Sequence, residues 1–251
     1  FLGVLEGADP GPLSDAFAAL DNAAPDAETR LGRDLARVLA VMATLPASMQ
    51  ATVFRWVGEM TRGMALYVHR PTGSDGLIAL LTAEDLERYC YFVAGTVGHM
   101  LTDLFLDALA PVSPERELAL REHSEAFGMG LQLVNILKDA TDDQARGWSF
   151  IPRSLCARQG VGVSELVRPD RRGAAHDVVA PVFDTAREQL DRALEYTLGI
   201  PEDATEVRLF CMLPLWMAAR TLVLARGNDA MFTPGEPVKI TRAEVGAILS
   251  H

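Results

Sequence analysis

The sequence predicts an all-α protein, and three observations carry that expectation. Apolar residues recur with the helical period in one segment after another, helix-start and turn signals bound those segments, and no run alternates in the manner of a strand or repeats. The chain has 251 residues, 49% of them hydrophobic, enough to bury one large core, so it reads as a single domain over residues 1–251.

The elements follow in order. Residues 35–45 form a first amphipathic segment and residues 50–68 a second. Thr82 followed by an acidic residue at Asp85 reads as a helix cap, opening a helix that runs through "YCYFVAG" toward Leu109. Pro111 and Pro114 bracket a turn, and one long helix is expected from Pro114 to Ala145. Further helices are expected over 177–198 and 206–226, with loops at 71–76, 168–177 and 227–237.

Composition removes several classes of function. A net charge of −11 argues against a nucleic-acid partner, which needs a basic footprint. Charged residues interrupt every apolar run long enough to span a bilayer, so no transmembrane helix is expected. Cys90, Cys156 and Cys211 show neither pairing nor metal-ligand spacing, which fits a reducing, cytoplasmic setting. His69, His99, His123, His176 and His251 are scattered, and surface or packing roles account for them.

The chemistry concentrates in "GLQLVNILKDATDDQARG", residues 130–147. At 100° per residue, Gln132, Asn135, Asp139, Asp143 and Arg146 fall within an arc of about 80°, with leucine, valine and isoleucine round the remaining circumference. A lone D-x-x-x-D on a helix is ordinarily a solvated face. Here the other faces are too apolar for a surface helix, which suggests a polar stripe lining a cavity. Carboxylates with amides beside them, and no histidine or thiolate, suit Mg²⁺, which is held by one or two carboxylates together with phosphate oxygens. Lys138, Arg146 and Arg153 stand near enough in sequence to hold the remaining phosphate charge. The local reading is a magnesium-diphosphate site at the rim of an apolar cavity.

Three blocks in order, "YCYFVAGTVG" (89–98), the stretch 130–147 followed by "FIP" (150–152), and "FCMLPLWMA" (210–218), resemble the squalene/phytoene synthase family. The resemblance runs from about residue 30 to 245. It implies an isoprenoid-synthase helical bundle round a central cavity, and head-to-head joining of two prenyl diphosphates through a cyclopropyl diphosphate. Farnesyl diphosphate is the first expectation for the substrate. By this resemblance Asp139 and Asp143, with Asn135, are the Mg²⁺ ligands, and Asp142 stands where relatives often have Glu. Gln132, Asn135 and Arg146 face the diphosphate, Val93 and Gly98 line the substrate, Tyr89 lies close to the reacting carbons, and Phe210 is a cavity aromatic suited to stabilising a carbocation by its ring face. From the residues alone, Tyr89 and Phe210 read as core packing, and Gly95 and Gly98 as positions that let helices approach.

The resemblance extends to a reductant. "GEPVKITRAE" (235–244) is similar to a loop that squalene synthases carry, implying NADPH contacts from Lys239 and Arg242, with Lys138 in place of a family arginine. Thr241 stands where the loop usually has a second cation. Phytoene or dehydrosqualene synthesis without a reductant, a terpene cyclase and a non-catalytic helical homologue remain as alternatives. The family's first aspartate-rich motif, D-x-x-E-D, does not occur here: Asp15, Asp21 and Asp26 lack its spacing, and it is expected before Phe1. Localisation is expected to be cytoplasmic, with peripheral contact to the inner membrane for release of an apolar product.

Overall fold

A computed structural model describes residues 2–19, 27–235 and 238–249. Asp21, Asp26 and His251 lie outside the described residues, as do Glu236 and Pro237 of the 235–244 loop. Where one domain is expected, the chain divides into two compact units, Phe1–Arg62 and Gly63–His251. The first holds α1 (Leu2–Leu5), α2 (Gly11–Ala18), α3 (Ala27–Arg33), α4 (Leu35–Met42) and most of α5 (Ala47–Val68). Within it Phe17 lies over Gly32, and the Arg33 guanidinium donates to the Phe17 carbonyl at 3.2 Å.

The second unit carries the large core. It comprises the end of α5, α6 (Ala83–Cys90), α7 (Thr96–Ala108), α8 (Pro114–Lys138), α9 (Ala140–Ala145), α10 (Arg153–Arg158), α11 (Arg172–Gly199), α12 (Thr205–Ala225) and α13 (Arg242–Leu249). Helix α6 starts as expected: the Asp85 N–H donates to the Thr82 hydroxyl at 3.2 Å. Helix α8 is the central element and packs against α7, α11 and α12. Ser113 caps it through the Arg116 N–H, and Leu133, Val134, Ile136 and Leu137 are buried. Helix α11 begins at Arg172, so His176, expected in a loop, is helical and 2.8 Å from Asp229. Helix α12 is long and apolar enough, by length and composition, to cross a membrane, where no such run is expected, because no charge falls between Leu209 and Ala219. It packs here against α8 and α11.

Two local departures matter for the site. The helix predicted over 83–109 is continuous, but Tyr91–Gly95 is a π-helical turn joining α6 to α7. The wider turn shifts the register of the residues beyond it relative to an unbroken α-helix. Among the described residues there is also one two-stranded parallel pair that no alternation foretold, β1 (Ile78–Ala79) with β2 (Trp148–Ser149). Arg153 clamps this pair, donating to both oxygens of Asp75 at 2.7 and 2.8 Å and to the Leu77 carbonyl at 3.0 Å. Arg153 is therefore a structural tie, and the expectation that it holds phosphate is corrected.

The π turn and α7 meet α8 backbone to backbone. A Cβ on Gly98 would stand 1.9 Å from the Ser124 carbonyl oxygen, and one on Gly128 1.9 Å from that of Ala94. Gly98 thus serves the helix crossing instead of lining substrate as expected; its missing side chain faces α8.

Gly98→Ala or Gly128→Ala should lower stability by about 1–3 kcal/mol or more, the scale of core overpacking. Gly173→Ala, where a Cβ meets nothing within 4 Å, should raise it by roughly 0.5–1 kcal/mol through helix propensity. Thermal denaturation of the three variants checks this; equal effects would contradict the close approach. The Arg153 guanidinium holds the Asp75 carboxyl down at about 2 from 3.8. A depressed carboxylate stabilises above its unfolded pKa and loses that contribution as pH falls through the folded value. Wild-type stability relative to Asp75→Asn should accordingly shrink between about pH 4 and pH 2, measured by denaturant melts.

Candidate active site

The long helix predicted to Ala145 ends early because Asp139 leaves helical geometry, at φ −100° and ψ 10°, so that α8 stops at Lys138 and α9 starts at Ala140. The hydrogen-bond ladder still crosses the break. The Asp139 N–H donates to the Asn135 carbonyl and the Asp143 N–H to the Asp139 carbonyl, both at 2.8 Å. Asp139 and Asp143 therefore stay one turn apart; of the stripe, Asp143 and Arg146 line one cavity and Asn135 lines another.

The first cavity, of about 210 Å³, takes Asp143 and Arg146 at its rim. Its walls are Met64 and Tyr67 of α5, Tyr89 of α6, and Trp148 and Phe150. Tyr89 stacks on Phe150 at 4.6 Å between ring centroids and meets Tyr67 edge-on at 5.2 Å. Burial, with lesser contributions from Cys90 and Asp143, pushes the Tyr89 hydroxyl up to about 12. It stays protonated near neutral pH. The Asp143 side chain is 17% exposed, and burial followed by the charge of Asp139 pushes its carboxyl up to about 6. Arg146, 3.7 Å away, offsets only part of this. A carboxylate so placed lacks positive charge.

The second cavity, of about 480 Å³, gathers Asn135, Lys138, Lys239 and Arg242, with Pro214, Met217 and Thr221 of α12 in its walls. Lys138 donates to both oxygens of Asp139 at 2.6 and 2.5 Å, so the cation adjoining this cavity holds the carboxylate at the helix break. Thr241, standing where the loop usually has a second cation, donates its N–H and hydroxyl to Glu244 at 3.0 and 2.9 Å.

The remaining expected residues are less enclosed. Gln132 is half-buried on α8, and Val93 packs half-buried against the core. Phe210 is 57% exposed and meets Phe105 edge-on at 6.1 Å, so it stands at an open surface and not in a closed cavity. It shares a helical face with Pro214, Met217 and Thr221, at spacings of four, seven and eleven residues. His99 binds Ser124 at 2.7 Å, a packing role. Among the described residues no three His, Cys, Asp or Glu side chains converge on one point. Two carboxylates one turn apart nonetheless fit Mg²⁺, which takes one or two carboxylates and completes its shell with phosphate oxygens and water. Sequence reasoning missed Tyr67 and Trp148, and no local pattern marks either of them.

A family model described as squalene/phytoene synthase matches residues 9–244. The squalene synthase of Cyberlindnera jadinii is 28% identical over 214 residues, covering 85% of this chain and 46% of that protein. That of Schizosaccharomyces pombe (strain 972 / ATCC 24843) is 30% identical over 197 residues, covering 77% and 40%. The chain thus spans less than half the length of these relatives. Among solved structures, a TcSQS complex with a ligand superposes with a TM-score of 0.79 at 22% identity, covering 99% of this chain and 69% of that one. A dehydrosqualene synthase complex gives 0.51 at 17%, covering 96% and 99%. These two likenesses show the fold, and with the match across residues 9–244 they establish that the chain belongs to the squalene/phytoene synthase family.

Proposed function

We propose that this chain carries the diphosphate-binding part of a prenyltransferase that joins two farnesyl diphosphates head to head through a cyclopropyl diphosphate and reduces the product to squalene with NADPH. The observation that carries the reading is the helix break at Asp139. Beyond it Asp143 lines an aromatic cavity, and at it Asp139 is held by Lys138, which lines a second cavity with Lys239 and Arg242.

Asp139 and Asp143 would hold Mg²⁺, which when bound neutralises the charge of the departing diphosphate. Lys138 steadies Asp139 through its two hydrogen bonds, and Arg146 is exposed and free to swing toward a phosphate oxygen. Tyr89, Phe150 and Trp148 keep water from the allylic carbons, which form a cation that water would quench. Lys138, Lys239 and Arg242, gathered round one cavity, suit the phosphates of NADPH, which supplies hydride when bound. A cytoplasmic protein with peripheral membrane contact belongs to the same reading. The exposed Leu209, Trp216 and Val223 of α12 support that contact. A second reading, condensation without reductant to a phytoene or dehydrosqualene product, is favoured by the commitment of Thr241 to Glu244.

Full-length protein incubated with farnesyl or geranylgeranyl diphosphate and Mg²⁺, with and without NADPH, tests the reading by product analysis. Squalene should form from farnesyl diphosphate only with NADPH, and Lys239→Ala should divert flux to the cyclopropyl diphosphate. Identical products with and without NADPH would promote the second reading. Asp139→Asn and Asp143→Asn should each abolish turnover, and near wild-type rates in either would remove the metal assignment.

Asp143 should also reveal itself without substrate. A carboxyl whose folded pKa is raised above 3.8 to about 6 stabilises the fold below its unfolded value and loses that as pH rises through the folded one. In metal-free buffer, Asp143→Asn should therefore be more stable than wild type above about pH 6, by on the order of 1–2 kcal/mol, with the difference shrinking toward pH 4. A variant less stable than wild type at pH 8 would contradict the placement of this carboxylate.

A further inference from the structure

The segment Trp148–Ile151 is built with more care than a connecting loop needs. Its side chains alternate: Ser149 and Ile151 are buried in the core, whereas Trp148 and Phe150 are half-buried on the opposite side. Register is pinned by the pairs Ile78 with Trp148 and Ala79 with Ser149, and by the Leu80 N–H donating to the Ser149 carbonyl at 3.2 Å. The Asp75–Arg153 clamp lies just beyond. Trp148 and Phe150 consequently stack with 15° between their planes at 5.9 Å, and Phe150 stacks in turn on Tyr89 with 24° at 4.6 Å. The result is a row of three nearly parallel rings that runs along the 210 Å³ cavity and ends at Trp148.

Among the described residues, the charged groups lining that cavity are Asp143 and Arg146. A ligand held there by a diphosphate would have its phosphate end at the rim and its nearest carbons against the rings. At about 30 Å³ per water-sized group, the space takes roughly seven such groups. That is room for one five-carbon unit.

We infer that Trp148 and Phe150 form the binding wall for the first isoprene unit of the prenyl diphosphate whose phosphates sit at Asp143 and Arg146. The inference rests on the proposed prenyl diphosphate reading and adds the residues that hold the carbon next to the breaking C–O bond. With their faces occupied by one another, the inner rings act by shape and by excluding water. Trp148, at the end of the row, is the ring whose loss opens the cavity.

Trp148 is also its own reporter. In full-length protein with every other tryptophan, Trp56 and Trp216 included, replaced by Phe, fluorescence from Trp148 is titrated with Mg²⁺ plus dimethylallyl diphosphate, farnesyl diphosphate or inorganic diphosphate. Both prenyl ligands should change the emission, the five-carbon one included, and inorganic diphosphate should leave it unchanged. In otherwise wild-type protein, Trp148→Ala should raise KM for farnesyl diphosphate at least tenfold while inhibition by inorganic diphosphate stays within twofold, and Trp148→Phe should restore most of the loss. If farnesyl diphosphate is turned over without a Trp148 response, or if inorganic diphosphate binding falls in parallel in Trp148→Ala, the inference is wrong and the functional reading stands. Wild-type protein that binds no prenyl diphosphate overturns both.

Discussion

The approach of the π turn and α7 to α8 at Gly98 and Gly128 is the constraint on which the rest of the site depends. With backbone oxygens of each helix standing where the other's Cβ would lie, the Tyr89 helix is held as close to the central helix as two helices can come. Because the interior is close-packed, such a contact transmits position along both elements. Tyr89 lies just before the π turn and Asp139 at the far end of α8, so the distance between aromatic wall and carboxylate pair is set by this crossing. The π turn then decides which way the residues beyond it face. Tight packing at the centre is what allows an open cavity at the edge.

At that edge the structure accepts an electrostatic cost. Asp143 is held among aromatic rings with Asp139 one turn away, and its carboxyl is pushed up to about 6 for both reasons, burial being the larger. Folding alone would not favour this arrangement, since an apolar side chain of the same volume would suit the rings better. A site that must receive a doubly charged cation has use for such unmet negative charge. The neighbouring cations are arranged accordingly: Lys138 is bound to Asp139, and Arg146 leans toward Asp143 at 3.7 Å while remaining 74% exposed. Neither neutralises Asp143.

Much of the fold was legible in the sequence because helical periodicity and caps are local signals. Thr82 caps as expected, the limits of α12 fall within a residue of those predicted, and Gly98 packs as its residue type suggests. The misses arise where a long-range contact overrides a local pattern. The break at Asp139 leaves no local mark, since aspartate is an acceptable helix residue, and the π turn in "YFVAG" leaves none either. β1 and β2 are two residues each and exist only as a pair, beyond the reach of any alternation rule. Arg153 resembles a phosphate ligand in the sequence because its partner Asp75 lies 78 residues away. The carboxylates, the amides and Tyr89 were legible as candidates from their types and spacing. That the stripe would divide between two cavities was not.

The central claim is that the junction of α8 and α9 is a metal-dependent diphosphate site. Calorimetric titration of inorganic diphosphate into full-length protein, with Mg²⁺ present and with it chelated, tests that most directly. The account expects binding in Mg²⁺, its loss on chelation, and its loss in Asp143→Asn despite an intact fold. Binding of equal strength in all three cases would contradict it.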